Sequence, residues 1–194
     1  MLESDSMEKV TPIEEKIVSY LALHPRRNIQ QIQRGLGIED RNYPTVRNAM
    51  SRLKKKDLVE ATQGKSEKKV LVSFFRLSVK GIGYALAYGN DHVALQVPAI
   101  YEDVEPQLKN FVQIEQHLSP PIMLKLLRIV GKGVIQYGEK CLQTQIIAIL
   151  AIEGLHALSE KEYAEFKKAC AKVPSVKSMV DKTFKTLSRF SLEE

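Results

Sequence analysis

Between Asn28 and Lys56 two helical patterns are separated by a short polar interruption, and nothing else in the chain restricts the fold as closely. Asn28 and Gln31 are spaced as a capping box, in which each side chain accepts from the other residue's backbone N–H. Ile29, Ile32 and Leu36 then form the buried stripe of a short helix, and Gly37, lacking a Cβ, permits the left-handed turn that ends it. Ile38 to Asn42 make the turn and Pro44 suits the start of the next helix. In that helix Val46, Ala49, Met50 and Leu53 repeat at i, i+3, i+4, i+7, a narrow seam that buries one side only. At about 100° per residue the far side carries Asn48, Ser51 and Lys55, with Thr45 and Arg52 on one flank and Arg47 on the other.

After Asp57 the periodicity changes. Leu58–Thr62 reads as a short strand, Gln63–Lys69 as a polar loop with Gly64, Lys65, Lys68 and Lys69, and Val70–Leu77 as a second strand of β-branched and aromatic residues. Ser78 can cap a helix running to about Tyr88. Upstream, residues 1–10 show no apolar period and are expected to form a disordered tail. Thr11-Pro12-Ile13-Glu14 then starts a helix whose inner face is expected at Ile13, Ile17, Tyr20 and Leu21, and which stops at His24-Pro25.

Residues 90–100 break the pattern and are expected to be an interdomain connector. From Tyr101 onward there is no convincing strand. Helices are expected over Val104–Leu118, from Ser119 to about Tyr137, over Leu142–Leu158, for roughly three turns after Ser159-x-x-Glu162, and over Val176–Phe190. Gly131 and Gly133 weaken the second of these and mark a bend or a close helix crossing. The expected fold class is mainly α: helices with a small β-ribbon over 11–89, then an all-helical domain over 101–194.

At 194 residues, with 44% apolar and 27% charged residues, the chain is long enough for a proper hydrophobic core. No apolar run approaches a bilayer's thickness, and no secretory segment follows the acidic start Met1-Leu2-Glu3-Ser4-Asp5, so a cytosolic protein is expected. Cys141 and Cys170 have no metal-ligand spacing and read as small core hydrophobes. His24, His92, His117 and His156 are scattered, and Gly131-Lys132-Gly133 lacks the spacing of a phosphate loop. Glu102, Asp103 and Glu105 suit a helix N-terminus. These absences argue against an enzyme, a metal site or a cofactor. Net charge is +6, and residues 1–90 hold all of the excess, with 16 Lys and Arg against 10 Asp and Glu, while residues 91–194 hold 13 of each. A basic surplus confined to one module is the footprint of phosphate binding, though a merely solvated basic surface has the same composition.

The helix, helix, turn, helix order of residues 11–88, the step Asp57-Leu58-Val59 from helix to strand, and Leu77-Ser78-Val79-Lys80-Gly81 after the ribbon resemble the winged helix-turn-helix transcriptional regulators of bacteria and archaea, in the broad MarR- and PadR-like sense. That resemblance covers under half the chain. It implies sequence-specific binding of double-stranded DNA, with helix 44–56 in the major groove and the wing 63–69 on the backbone or minor groove. A groove about 12 Å wide admits a helix with one free face. Thr45, Arg47, Asn48, Ser51 and Arg52 are the expected base contacts, since Asn pairs with adenine and Arg with guanine in bidentate fashion. Tyr43, Lys54, Lys55, Lys56, Lys65, Lys68 and Lys69 are the expected phosphate contacts.

For the neutral C-terminal half, dimerisation is the first expectation, because helix-turn-helix proteins usually read two half-sites with a two-fold dimer. A homodimer acting on chromosomal DNA would sit with the nucleoid; a small-molecule effector has no support in the residues. The alternative reading is a winged-helix module that docks a protein, or a DNA-binding subunit serving replication or plasmid maintenance.

Overall fold

Pro12 at the first helical position and Glu14 at the third start α1, Pro12–Leu23, where the Thr11 backbone N–H donates to Glu14 Oε2 at 2.9 Å. The residues described by the computed structural model are 9–65, 70–103, 108–138, 157–178 and 181. The inner face of α1 is Glu14, Ile17, Val18, Leu21 and Ala22, so the expected stripe is rotated: Ile13 and Tyr20 are only half-buried. Tyr20 instead bridges to the next helix. Its ring lies so close over Gly35 that a Cβ there would meet it at 2.3 Å, and its hydroxyl reaches the Gln31 carbonyl at 3.4 Å.

The box at Asn28 and Gln31 forms as expected, with bonds of 2.9 and 3.0 Å, and starts α2, Ile29–Gly35. Gly37 takes φ +65° while Ile38 N–H returns to the Gln33 carbonyl at 3.0 Å, closing the helix as a left-handed cap. Gln33 is buried, and its amide donates to the Glu39 carbonyl at 2.9 Å and to Asp40 Oδ1 at 3.3 Å. That side chain holds the 3-10 turn Asp40–Asn42, which delivers the chain to α3, Tyr43–Lys55. At the other end of α3 Asp57 adopts φ +57°, and Leu58 N–H returns to the Leu53 carbonyl at 2.9 Å, so the chain reverses directly into a strand.

Strands β1, Val59–Lys65, and β2, Leu71–Leu77, pair antiparallel from Val59↔Leu77 to Lys65↔Leu71. β1 therefore runs through Gln63, Gly64 and Lys65, which the sequence places in the loop. The glycine costs little here because the Phe74 ring lies where a Cβ would be, 2.9 Å away. Glu60 pairs with Arg76 across the strands, and Gln63 Nε2 donates to Ser73 Oγ at 3.1 Å. On its other edge β2 receives Arg27, which exchanges backbone bonds of 3.0 and 2.8 Å with Phe75 and ties the α1–α2 connection to the ribbon.

The Leu77–Gly81 step has a definite physical basis. Ser78 N–H donates to the Leu58 carbonyl at 3.2 Å, its hydroxyl donates to the Asp57 carbonyl, and Gly81 N–H donates to that hydroxyl at 3.0 Å. The helix it starts, α4, Val79–Tyr88, approaches β1 so closely that a Cβ on Gly81 would stand 1.9 Å from the Leu58 carbonyl oxygen.

The chain divides into two compact units, Met1–Ile82 and Gly83–Glu194, and the division falls inside α4. Contrary to the connector expected over 90–100, this segment is helix α5, Asp91–Tyr101, capped by Asn90, whose Oδ1 accepts from Val93 N–H at 2.9 Å. Val93, Ala94, Val97 and Tyr101 form its buried face, and that burial outweighs the backbone bond lost at Pro98.

Helix α6, Leu108–Glu115, falls within the expected Val104–Leu118, and α7, Pro120–Tyr137, occupies its expected span. Gly131 is a close crossing: a Cβ would meet Ala87 N at 2.5 Å and the Gly83 carbonyl at 2.6 Å. Helix α8, Glu160–Lys172, opens on the Ser159–Glu162 box, and Phe166, Ala169 and Cys170 are its buried residues. Burial pushes the Cys170 thiol up to about 12. Of the expected tail over 1–10, residues 1–8 lie outside the described residues and Val10 is buried; also outside are 142–156 of the helix expected over Leu142–Leu158, Cys141, and nearly all of the final helix beyond Ser178. The protein is mainly helical with a small two-stranded antiparallel sheet. Among the described residues no helix is long and apolar enough to cross a membrane.

Candidate nucleic-acid interface

Helix α3 is anchored as its sequence dictates. Val46, Ala49, Met50 and Leu53 are all buried, and the residues between them face outward. Burying four such side chains stabilises the docked helix by several kcal/mol, at about 1.5–3 kcal/mol for a fully buried aliphatic side chain and less for alanine. Thr45, Arg47, Asn48 and Ser51 are exposed, and so are Lys54 and Lys55 at the C-terminal end. Tyr43, half-buried, stands at the start of the helix. Four of the five expected base contacts therefore share one solvent-facing surface, with two expected phosphate contacts continuing it.

The other flank of α3 differs from expectation. Arg52 and Lys56, one turn apart, converge on Glu14 of α1: Arg52 Nε donates to Oε1 at 2.6 Å, and Lys56 Nζ to Oε2 at 2.9 Å. The Glu14 side chain is 0% exposed. Burial alone would raise its pKa. The Thr11 N–H, the Lys56 and Arg52 hydrogen bonds and the Lys56 charge outweigh that effect and bring it down to about 2. Lys56 also donates to the Lys9 carbonyl at 2.8 Å and is only 11% exposed, so its ammonium is committed inside the unit. Arg52 is 47% exposed, and among the described residues its two Nη groups have no partner.

Sequence reasoning placed Lys56 on phosphate and missed Glu14 as a partner of α3. The signal was present in part. Glu14 lies at i−3 and i−4 from Ile17 and Val18, on the stripe that proved to be the inner face, but a charged residue there reads as a capping group alone.

Lys65 is exposed at the open end of β1 and paired in register with Leu71, so it stands on a strand instead of a loop. Lys68 and Lys69 lie outside the described residues. Val70 and Leu71, at the start of β2, are 60% and 68% exposed. Arg47, Lys54, Lys55 and Lys65 make no ion pair among the described residues. The basic surplus thus survives folding as uncompensated surface charge on and beside α3. Among the described residues no three His, Cys, Asp or Glu side chains gather as metal ligands. Comparison with protein-family models, with curated proteins and with solved structures finds no match for this chain.

Proposed function

We propose that this protein binds double-stranded DNA sequence-specifically as a regulator of transcription. In this reading α3 enters the major groove and the β1–β2 ribbon acts as a wing, with residues 63–69 on the neighbouring backbone or minor groove. One observation carries the reading: Thr45, Arg47, Asn48 and Ser51 face solvent together on a helix whose opposite side is sealed by four buried apolar residues. Asn48 and Arg47 supply the two bidentate base-reading chemistries, Ser51 and Thr45 a hydroxyl each, and Lys54 and Lys55 supply phosphate charge. The C-terminal helical unit serves as the dimerisation element, so that two copies of α3 read two half-sites. The reading assigns no catalysis and no cofactor, and places the protein with the nucleoid.

Selection of bound fragments from a random duplex library tests it, with the mass of the complex measured in parallel. The expected outcome is a palindromic motif with half-sites about one helical turn apart, bound by two chains. Affinity should fall steeply with salt as neutralised phosphates release counterions. Absence of binding to every duplex at low salt would abandon the reading.

A second reading, a winged-helix module that docks a protein, is favoured by the exposed Val70 and Leu71 at the start of β2. One stoichiometric protein partner, lost on Leu71→Ser and retained on Asn48→Ala, would support it over DNA.

A further inference from the structure

We infer that Glu14 is a positioning residue, and that it holds Arg52 as a fork for a backbone phosphate instead of a base reader. The inference rests on the DNA-binding reading above. Among the described residues, Arg52 is the only exposed cation of α3 whose side chain is fastened to the body of the unit, through Nε to Glu14 Oε1 at 2.6 Å. A guanidinium held by Nε leaves its outer end, the outward N–H of each Nη group, directed away from the holding carboxylate. That end of the fork matches two oxygens of a phosphate, and its rotamers are already restricted before DNA arrives.

Position favours phosphate over base. Arg52 lies in the last turns of α3, whereas helix-turn-helix readers contact base edges mainly from the N-terminal part of the recognition helix. It is also drawn toward α1, off the surface shared by Thr45, Asn48 and Ser51. Glu14 itself is held on its second oxygen by Lys56 Nζ and by the Thr11 N–H, both at 2.9 Å, so the brace is rigid from behind. Lys56 thus supports Arg52 indirectly and contacts no DNA.

A reversal of sign makes the inference testable. Removing a buried negative charge beside a DNA-binding surface should tighten binding if only net charge matters. If Glu14 is a brace, Glu14→Gln should instead weaken binding about two- to tenfold, with equal loss on preferred and random duplexes. Arg52→Ala should weaken both duplexes similarly and lower the slope of log affinity against log salt by about 0.9.

Arg52→Lys separates bracing from simple pairing. An ammonium held on Glu14 lacks the planar outer fork that a guanidinium presents to two phosphate oxygens, so thermal stability should recover toward wild type while affinity does not. If Glu14→Gln does not fold because Lys56 is left uncompensated, Glu14→Gln with Lys56→Met carries the same test. Unimpaired or tighter binding by the Glu14→Gln protein, or a changed order of preferred sequences in Arg52→Ala, overturns the inference and leaves the DNA reading standing. Failure of the wild-type protein to bind any duplex removes both.

Discussion

The two units of the chain use an arginine in opposite ways. In the C-terminal unit Arg128 of α7 places Nη1 on the Leu86 carbonyl at 2.8 Å and Nη2 on Asp91 Oδ1 at 3.0 Å, so the outer end of its fork is committed inside the protein. In the N-terminal unit Arg52 commits only Nε, and the outer end stays available. The same contrast runs through the charge as a whole. The unit over 83–194 holds 13 cationic and 13 acidic residues, and its ion pairs among the described residues link α7 to α8 and α7 to the start of α5. The unit over 1–82 holds the entire surplus and leaves Arg47, Lys54 and Lys55 of α3 and Lys65 of β1 without an ionic partner among the described residues. A charge whose donors are all satisfied internally contributes to architecture. One fastened at a single atom, or at none, keeps the capacity to meet another molecule.

Gly81→Ala should break the contrast most severely, because it attacks one unit alone. A methyl group 1.9 Å from the Leu58 carbonyl cannot be absorbed by a side-chain movement, and α4 would have to leave β1. A destabilisation of about 3 kcal/mol or more is expected, at the upper end of overpacking costs. Hydrogen exchange should show lost protection across α1–α3 and the ribbon, with α7 and α8 still protected. Equal loss in both units would mean that they do not fold as separable bodies.

Acid should act next most strongly, again through the N-terminal unit. The Glu14 carboxyl titrates at about 2 when folded against an ordinary 4.5, so its ionised form is favoured by the native state. Its stabilisation is therefore complete above about pH 4.5 and disappears as the pH falls toward 2, a loss on the order of 3 kcal/mol. Denaturant titrations between pH 6 and 2 check this against Glu14→Gln, which should be weaker at neutral pH and flatter across the acid range. Parallel pH curves for the two proteins would contradict the assigned role of Glu14.

These results also indicate what local patterns in the chain could and could not disclose. The seam at Val46, Ala49, Met50 and Leu53, the caps at Asn28 and Ser159, and the Ser78 start of α4 were all readable, since each depends on residues within one or two turns. Arg27 pairing with Phe75 was not, because nothing near Arg27 signals a strand and its partner is far away in sequence. Glu14 was readable as a cap but not as a buried charge, because its compensation comes from Arg52 and Lys56 on another helix. α5 shows the converse error. The stretch 90–100 breaks the pattern of its neighbours, yet Val93, Ala94, Val97 and Tyr101 bury one face of a helix there, and that burial is supplied by other elements.

The surface charge offers a direct comparison of the units. Replacing Arg47, Lys54 and Lys55 together by Ala should lower affinity for any duplex roughly a hundredfold near 0.1 M salt, and lower the salt slope by about 2.7. Replacing Lys161, Lys168 and Lys172, exposed on α8 of the neutral unit, should change affinity less than about twofold by the same measure of absent phosphate contact. Titrations of labelled duplex at four salt concentrations give both quantities. Equal losses in the two triples would indicate a diffuse charge effect and dissolve the distinction drawn for α3.

Arg128→Met is the mildest perturbation and the cleanest control for Arg52. It removes a bond to the Leu86 carbonyl at the end of α4 and a pair with a largely exposed Asp91, while methionine keeps most of the aliphatic stem. The expected cost is about 1 kcal/mol, most of it from the carbonyl, since pairs with exposed partners contribute little. Duplex affinity and salt slope should stay at wild-type values, because both Nη groups of Arg128 are already engaged inside the protein. Arg52→Ala should instead weaken binding alike at every sequence. If Arg128→Met weakens DNA binding as much as Arg52→Ala does, internal commitment of a guanidinium is no guide to whether it acts in recognition.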